Sequence, residues 1–158
     1  MTIEQLRIDM NEKKLVWDQL RDLLMKQRFG VVATHSNGKP YTSLVAFAAT
    51  DDLRDLIFVT SNETRKFKNI ISNANAAMMI DNRSNTASDI SSAFAATACG
   101  TCRVIEKAQS QSLIDLYVKK HPELREFILS PSSALIDLQI ETYYFVKRFQ
   151  QVFELKIS

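Results

Sequence analysis

The fold is decided by residues 29–49, whose sequence is FGVVATHSNGKPYTSLVAFAA. Two β-prone runs, residues 29–36 and 41–49, flank the tetrapeptide Asn37-Gly38-Lys39-Pro40. An Asn-Gly pair between two such runs is the strongest short-range signal for a β-hairpin, because both residues tolerate the positive φ angles of a tight turn. The stretch therefore predicts two paired antiparallel strands. Strands joined in this way cannot form a doubly wound parallel sheet.

Further helices and strands are predicted on both sides of this hairpin. Upstream, apolar residues at helical spacing predict a helix over residues 11–27, with Asn11 as its cap. Downstream, the apolar patterns predict strands over residues 56–60, 76–81, 95–105, 136–147 and 152–157, and helices over residues 63–72, 109–120 and 123–129. Alternation in the long strand predicts one continuous apolar face, formed by Ile136, Leu138, Ile140, Thr142, Tyr144 and Val146.

This order of elements predicts a mainly β protein with flanking helices. Six or seven antiparallel strands must protect their edges, either by closing into a barrel or by folding into a sandwich, and we expect a small barrel. Residues 1–158 are expected to form one domain, with an N-terminal helical segment (1–28), barrel strands (29–106), helices (107–130) and C-terminal strands (133–158). The polar residues 82–92 are expected to form an exposed excursion, a candidate flap. Because the strand faces are generously apolar for a monomer, we also expect a subunit interface.

Composition limits the classes of function. Hydrophobic residues make up 46% of the chain and charged residues 24%, which is typical of a globular protein. The 20 Lys and Arg residues are spread among 18 Asp and Glu residues, which argues against a nucleic-acid partner. The N-terminal residues lack the pattern of a secretory signal, and no apolar run is long enough to span a bilayer. We therefore expect a cytoplasmic protein with neither a membrane nor a nucleic acid as its partner.

Two cysteines, Cys99 and Cys102, have the spacing of a redox dithiol. They fall within the predicted strand 95–105, where residues three apart point to opposite faces, whereas a redox pair needs both sulfurs together at a helix start. Two thiols are also too few for a zinc site. We expect neither a redox function nor a bound metal.

A predicted junction between a strand and a helix, at residues 60–71, is a candidate anion site. The hydroxyls of Thr60 and Ser61 come just before a helix start that carries Arg65 and Lys66. A helix start offers free backbone N–H groups to a phosphate, to which Arg adds a planar fork of donors and Lys a mobile charge. The alternative is that both cations are ordinary solvated side chains. These residues alone leave both interpretations open.

No other group of residues has the pattern of a catalytic site. His35 ends the first strand of the hairpin, where a histidine is more often solvated or stabilises the turn than catalytic. His121 precedes Pro122 at a helix break and is expected to be structural. Ser, Asp and His residues occur without a nucleophile elbow, and no carboxylate pair has a spacing that indicates glycoside hydrolysis. Catalytic residues are therefore not assigned.

The order of the elements and the residues at their junctions resemble the pyridoxamine 5′-phosphate oxidase-like family of FMN-binding split barrels. The resemblance extends from about residue 17 to residue 105. It rests on five segments in this order: residues 29–34, residues 37–41, Val59-Thr60-Ser61, Arg65-Lys66 and Cys99-Gly100-Thr101. The fold that the resemblance implies is an antiparallel split β-barrel.

The resemblance also implies a homodimer that binds FMN in the cleft between its subunits. The FMN phosphate would be held by Arg65 and Lys66, and the second strand would follow the isoalloxazine ring. The implied cofactor-binding residues are Ser43, Leu44, Val45, Thr60, Ser61, Arg65 and Lys66. A strand edge suits the ring, because it offers hydrogen-bond donors and acceptors at regular spacing.

The chain departs from the family pattern at three places. True pyridoxamine-phosphate oxidases have a basic residue where Ser43 stands, and an Arg-rich C-terminal signature that residues 152–158 lack. Ala95 stands where many relatives have a glutamine. The expected function is therefore that of an FMN-dependent oxidoreductase that acts on a small molecule other than pyridoxamine phosphate. The alternative is a protein that binds a flavin or haem on the same scaffold without turnover.

Overall fold

The described part of the protein contains seven antiparallel strands, five α-helices and two short 3-10 helices, Lys107–Gln109 and Pro122–Leu124. The structure, a computed structural model, describes residues 2–158 apart from the side chains of residues 6–8, and Met1 of the expected domain lies outside them. The strands are β1 (Phe29–Ser36), β2 (Lys39–Ala49), β3 (Asp55–Ser61), β4 (Asn75–Asp81), β5 (Phe94–Ile105), β6 (Ser133–Lys147) and β7 (Gln151–Lys156). The α-helices are α1 (Ile3–Lys26), α2 (Arg65–Ser72), α3 (Asp89–Ser92), α4 (Gln111–Lys120) and α5 (Arg125–Leu129).

Six of the strands close into a barrel. Their order is β3-β2-β1-β4-β5-β6, neighbouring strands are antiparallel, and β6 also pairs with β3 over the whole length of β3. The last strand, β7, pairs with β6 from Thr142 to Lys147 and extends the sheet beyond the barrel. The prediction of a mainly β split barrel with flanking helices is confirmed.

The β1–β2 hairpin is the one that Asn37 and Gly38 predicted. Asn37 has a φ of 51° and Gly38 a φ of 72°, the two positive angles that a two-residue type I′ turn requires. Pairing runs from Ser36 opposite Lys39 to Phe29 opposite Ala46. Strand β2 therefore begins at Lys39, two residues earlier than predicted, because Lys39 and Pro40 belong to the ladder.

Two apolar layers stabilise the fold. The barrel interior is filled by side chains from every strand together with Val16, Leu20 and Leu24 of α1. A second cluster lies outside the barrel, where Tyr117 of α4 and Ile128 of α5 are buried with residues of β3 and β6. Burial of these apolar side chains is the main favourable contribution to folding. Helices α4 and α5 thus cover the outer surface of the sheet at this place.

The apolar face of β6 changes at a β-bulge, so the prediction of one continuous face is wrong. Gly100 lies opposite Ile140 but Cys99 lies opposite Thr142, which makes Glu141 an extra residue on β6. An extra residue reverses the alternation of side chains in the rest of the strand. Beyond the bulge the buried residues are Tyr143 and Phe145, whereas Tyr144 and Val146 do not belong to the core.

Helix α1 begins earlier than predicted. Its N-cap is Thr2, whose Oγ1 accepts from Gln5 N–H at 3.2 Å while Gln5 Oε1 accepts from Thr2 N–H at 2.9 Å, a complete capping box. Asn11, the expected cap, is an exposed residue inside the helix. The described residues before Val16 are exposed, so no buried stripe reveals this half of the helix. Within residues 2–158, neither α1 nor any other helix is long and apolar enough to cross a membrane.

Candidate functional site

The candidate anion site lies where β3 ends and α2 begins. Thr64 is the N-cap of α2, and its Oγ1 accepts from Phe67 N–H at 3.3 Å. The next two N–H groups, those of Arg65 and Lys66, have no acceptor among the residues that the structure describes. Such groups at a helix start are donors available to an anion. The predicted strand, helix start and cations are thus found together, although α2 starts at Arg65 rather than at Glu63.

Lys66 is held in place by the residue that ends the apolar part of β3. Its Nζ donates to Thr60 Oγ1 at 3.3 Å, and Thr60 Oγ1 is also 2.8 Å from Thr64 Oγ1. Partial burial of the ammonium lowers the pKa of Lys66. A fixed and partly desolvated cation interacts more strongly with an anion than a freely solvated one.

Arg65 connects the helix start to strand β2. Its guanidinium carbon lies 5.0 Å from the centroid of the Tyr41 ring, a cation–π arrangement. Tyr41 pairs with Thr34 of β1, and the Thr34 hydroxyl accepts from Asn69 Nδ2 of α2 at 3.1 Å. These contacts fix α2 against the β1–β2 hairpin and bring β2 next to the anion site.

The edge of β2 next to this site has no strand partner. Strand β2 pairs with β1 from Lys39 to Ala46, and with β3 only from Phe47 to Ala49. Along residues 39–46, the edge of β2 that faces away from β1 therefore pairs with no strand among the described residues. This gap between β2 and β3 is the split in the barrel. Unpaired N–H and C=O groups of a strand edge are donors and acceptors for a bound molecule.

The predicted site residues differ in accessibility. Thr60 is only 2% exposed and Val45 is buried, so neither side chain is open to a ligand. Leu44 is 70% exposed, and Ser43 is half-buried. Ser61 is also half-buried, and its Oγ accepts from Glu63 N–H at 3.3 Å. The structure thus places Thr60 beneath the site as a support for Lys66.

The sequence did not indicate that Tyr41, Thr64 and Asn69 belong to this site. Thr64 carried a signal, because a threonine three residues before an apolar helical position is typical of an N-cap. No sequence pattern indicated a role for Tyr41 or Asn69. Their contacts join segments that are distant in sequence and depend on how α2 packs on the hairpin.

The two cysteines lie on different sides of the sheet, as the strand pattern predicted. Cys102 is buried in the barrel core, whereas Cys99 is half-buried and belongs to neither apolar cluster. Burial raises the pKa of both thiols, that of Cys102 to about 12. Neither is therefore an activated thiolate. In the part of the chain that the structure describes, no three His, Cys, Asp or Glu residues are grouped closely enough to bind a metal.

The two histidines have different surroundings. His121 is fully buried, and its Nε2 donates to the carbonyl oxygen of Phe47 at 2.8 Å. Burial lowers the pKa of His121, which favours the neutral ring and a structural role. His35 is half-buried at the end of β1, opposite Pro40 and away from Arg65 and Lys66 in sequence.

The outer face of the sheet carries an exposed apolar surface. We define this outer apolar face by Phe29, Val31, Leu44, Met79 and Tyr144. Leu44 lies opposite Val31, which lies opposite Met79, so a continuous row crosses three strands. Phe29, Leu44 and Tyr144 are exposed, although they are large and apolar. Surfaces of this kind mark binding or association sites.

Residues 16–147 match the profile of the pyridoxamine 5′-phosphate oxidase family. The chain belongs to this family. The matched region of this family member contains β1 to β6 and all the candidate cofactor-binding residues. The search of curated proteins found no match.

Solved structures of other split-barrel proteins share the fold of this family member. A haem-binding protein from Mycobacterium smegmatis has a TM-score of 0.78 at 13% identity, and the match covers 89% of this chain and 57% of that protein. HutZ, a haem storage protein from Vibrio cholerae, has a TM-score of 0.69 at 16% identity, with 86% and 92% covered. A FAD-binding protein from Mesorhizobium loti has a TM-score of 0.64 at 15% identity, with 80% and 89% covered. At these identities the likeness establishes the fold alone.

Proposed function

We propose that the protein is an FMN-binding flavoprotein that holds the FMN phosphate at the start of α2. The observation that carries this proposal is the position of Arg65 and Lys66, at a helix start with free N–H groups and beside the unpaired edge of β2. A phosphate monoester carries two negative charges and three acceptor oxygens. Two cations and two backbone donors at one place match both its charge and its hydrogen-bonding capacity.

The residues of β2 fit the ring system of FMN as well. Isoalloxazine needs donors for its carbonyl oxygens and an acceptor for its N–H, and the unpaired edge of residues 39–46 offers both kinds of backbone group. The side chain of Leu44 adds exposed apolar surface next to Ser43 and Val45. The expected ring-binding roles of these three residues are therefore proposed as backbone and apolar contacts.

We further propose that the protein is an oxidoreductase. Bound FMN would supply hydride transfer to or from a small organic compound. In this chain, Arg65 and Lys66 would bind the phosphate, Thr60 and Tyr41 would hold these two cations in position, and β2 would orient the ring. Ser43 in place of a basic residue argues against pyridoxamine 5′-phosphate as the substrate.

A homodimer is proposed because none of the residues that the structure describes covers the outer apolar face. Phe29, Leu44 and Tyr144 would lose most of their exposed surface against the same face of a second copy, in an isologous interface. Leu44 would then lie at the boundary between the interface and the proposed flavin site. The partner would complete a cleft over the edge of β2.

A cytoplasmic location stays a prediction.

Haem is the second candidate ligand, since two of the structurally similar proteins are named for haem. Iron needs an axial ligand, and His35 at the end of β1 is the histidine with an accessible ring. His121 is unsuitable, because its ring is buried and bonded to Phe47. The cation and strand-edge arrangement favours FMN over haem.

The absorbance spectrum of purified protein titrated with FMN, and separately with haemin, tests the proposal. Saturable FMN binding with a perturbed flavin spectrum is expected, and bleaching of that spectrum by NADH or NADPH would support an oxidoreductase over a binding protein. A Soret band that is lost in His35→Ala would instead support haem. Protein that is colourless as isolated and takes up no FMN would contradict the proposal.

A further inference from the structure

Strand β7 has one edge without a strand partner among the residues that the structure describes. It is the last strand in the order of the sheet and pairs only with β6. All of its residues except Phe153 and Leu155 are exposed, and Val152 is 61% exposed although it is apolar. Unpaired strand edges can add a strand from another molecule, and proteins usually cover or shield them. We call the unpartnered side of residues 151–156 the β7 edge.

The backbone groups that point to the β7 edge belong to Val152, Glu154 and Lys156. Ile157, which follows β7, donates its N–H to the carbonyl oxygen of Glu141 at 3.0 Å, so its backbone faces β6. Successive residues of an antiparallel strand direct their N–H and C=O groups to opposite edges in turn. Counted back from Ile157, every second residue therefore bonds to β6, and the residues between them present donors and acceptors to solvent.

The side chains of β7 and the residue after it divide between two faces with different chemistry. The residues that belong to the barrel core or pack against it are Phe153, Leu155 and Ile157. Glu154 and Lys156 therefore point to the other face of the sheet. Lys156 Nζ lies 3.7 Å from Glu154 Oε1, and both side chains are exposed. One face of β7 is thus apolar, whereas the other carries a negative and a positive charge two residues apart.

These charges make the β7 edge complementary to itself in one register. Two copies related by a twofold axis would pair antiparallel, in an isologous contact. An axis at Leu155 sets Glu154 opposite Lys156 of the partner subunit, and the reverse pair forms by symmetry. Because both residues present their backbone to the β7 edge, each pair would exchange both of its N–H···O bonds. On the apolar face, the same register sets Phe153 opposite Ile157 of the partner subunit.

The other registers lack this complementarity. An axis at Glu154 or at Lys156 would set like charges directly opposite each other, which is destabilising in a sheet. An axis at Phe153 would set Glu154 opposite Val152 and leave the carboxylate without a cation. An axis between two residues would set backbone that faces the β7 edge opposite backbone that faces β6, so no ladder could form. The charges therefore select the register at Leu155.

We propose that the β7 edge is a second self-association site, at which two copies of the chain pair antiparallel about Leu155 into one continuous sheet. The occupant is a second copy, because the edge complements its own charges and its own backbone groups. The contact uses main-chain groups in the plane of the sheet, whereas the outer apolar face is perpendicular to that plane. Glu154 lies opposite Tyr144, at the place where the outer apolar face ends. The pairing requires neither FMN nor the interface at the outer apolar face, and both contacts together would join dimers into tetramers.

A pair of short strand edges is a small interface. Stable complexes bury about 1,200–2,000 Å² of surface, and two paired edges bury less than this. We therefore expect the pairing at about 0.1–1 mM protein, above the concentrations at which the outer apolar face forms a dimer.

The test uses Phe29→Glu as the parent protein, so that the outer apolar face does not contribute to association. Sedimentation equilibrium of the full chain is expected to show a monomer–dimer equilibrium at concentrations up to about 1 mM. Glu154→Lys sets lysine opposite lysine, and Lys156→Glu sets glutamate opposite glutamate. Each is expected to raise the dissociation constant by about tenfold or more. Glu126→Lys, the same charge change at an exposed residue of α5, is the matched control and should change it by no more than about twofold.

A mixture of the two charge variants separates complementarity from a general loss of association. Glu154→Lys carries only cations on the outward face of its β7 edge, and Lys156→Glu carries only carboxylates. Opposite charges then meet at both pairs, so the mixture is expected to form a heterodimer with an affinity within about threefold of the parent. The double variant Glu154→Lys/Lys156→Glu is expected to associate like the parent as well.

Amide hydrogen exchange locates the contact in the sequence. The N–H groups of Glu154 and Lys156 are expected to exchange more slowly at about 1 mM than at about 0.01 mM protein, whereas that of Leu155, which faces β6, should not change. The proposal is overturned if the parent stays monomeric, if the mixture associates no better than each variant alone, or if association leaves exchange at the β7 edge unchanged. None of these results bears on FMN binding, because the β7 edge contains no residue of the proposed flavin site.

Discussion

Lys66 Nζ lies 3.3 Å from Thr60 Oγ1, a contact that joins the first turn of α2 to the end of β3. Thr60 is buried and Lys66 is partly buried, so the hydroxyl fixes the position of an ammonium that would otherwise be mobile. Preorganisation of this kind strengthens binding because less side-chain freedom is lost when the ligand arrives.

Thr60→Val should therefore weaken FMN binding without a direct contact being removed. Valine has nearly the same shape but no acceptor for Lys66, and we expect affinity to fall by about fivefold to tenfold, which corresponds to the net worth of one ordinary hydrogen bond, about 1 kcal/mol. Flavin fluorescence titration measures this change. Thr60→Ser keeps the hydroxyl and should bind FMN like the wild type. Equal affinity of Thr60→Val and the wild type would show that Thr60 does not position Lys66.

Stability should fall as the pH rises through about 6, because of Asp55. Desolvation raises the pKa of Asp55 to about 6, with a further contribution from Asp137. Asp137 is 1% exposed, its Oδ2 binds Arg103 Nε at 2.8 Å, and its Oδ1 has no other partner among the described residues. A proton held by Asp55 can be donated to that oxygen. Between pH 3.8, the usual pKa of an aspartic acid, and about pH 6, the folded state therefore binds more protons than the unfolded chain. The protonated carboxyl of Asp55 stabilises the folded state at low pH, and this stabilisation is lost as the pH rises through about 6.

Asp55→Asn tests this pH dependence. Asparagine is always neutral and can donate to Asp137, so the variant should gain thermal stability relative to the wild type as the pH rises from about 4.5 to 7.5. Melting temperatures across that range measure the difference. Asp51→Asn, an exposed change in the neighbouring turn, serves as the control. A constant difference between Asp55→Asn and the wild type would contradict the shared proton.

The bulge between β5 and β6 should be intolerant of any side chain at Gly100. A Cβ on Gly100 would lie 1.9 Å from the carbonyl oxygen of Gln139, a contact with backbone that cannot move aside. We expect Gly100→Ala to lower the free energy of unfolding by about 3 kcal/mol, as for other backbone clashes in a core. Urea unfolding measures this loss. Gly38→Asn at the hairpin turn is the control and should cost less than about 1 kcal/mol, since Asn tolerates a positive φ in open space.

A charge on the outer apolar face should prevent dimer formation. Phe29→Glu places a carboxylate where the proposed isologous interface buries a ring, and we expect a monomer by light scattering at concentrations at which the wild type is a dimer. Leu129→Glu, an equally exposed position on α5, should stay dimeric. A wild type that is monomeric at all concentrations would contradict the interface.

The hairpin was predictable because its signal is local, whereas the barrel, whose closure pairs β3 with the distant β6, was expected from the number of antiparallel strands and from the family resemblance. Asn37 and Gly38 specify one turn by their own backbone preferences, and the flanking residues alternate by burial. The reversal of β6 at Glu141 was not predictable, since it depends on Gly100 of another strand. The start of α1 was missed because its first half has no buried face, and only the Thr2–Gln5 capping box marks it.

Part of the candidate site was predictable because its sequence signal is also local. Arg65 and Lys66 stand at a helix start that local patterning and the family resemblance both indicated. The contact of Tyr41 with Arg65 and the unpaired edge of β2 depend on tertiary packing, which no local pattern encodes. The burial of Thr60 could not be predicted from the sequence either, because a hydroxyl at the end of a strand can point toward a ligand or toward the protein interior.

The most direct test is the ratio of the affinities for FMN and riboflavin, which differ only in the phosphate. If Arg65 and Lys66 hold that phosphate, the wild type should prefer FMN by about 100-fold or more, and Arg65→Ala/Lys66→Ala should bind both compounds with similar affinity. Lys68→Ala, at an exposed residue of the same helix whose N–H already donates to the carbonyl oxygen of Thr64, should keep the wild-type ratio. An Arg65→Ala/Lys66→Ala protein that still prefers FMN as strongly as the wild type would contradict the account.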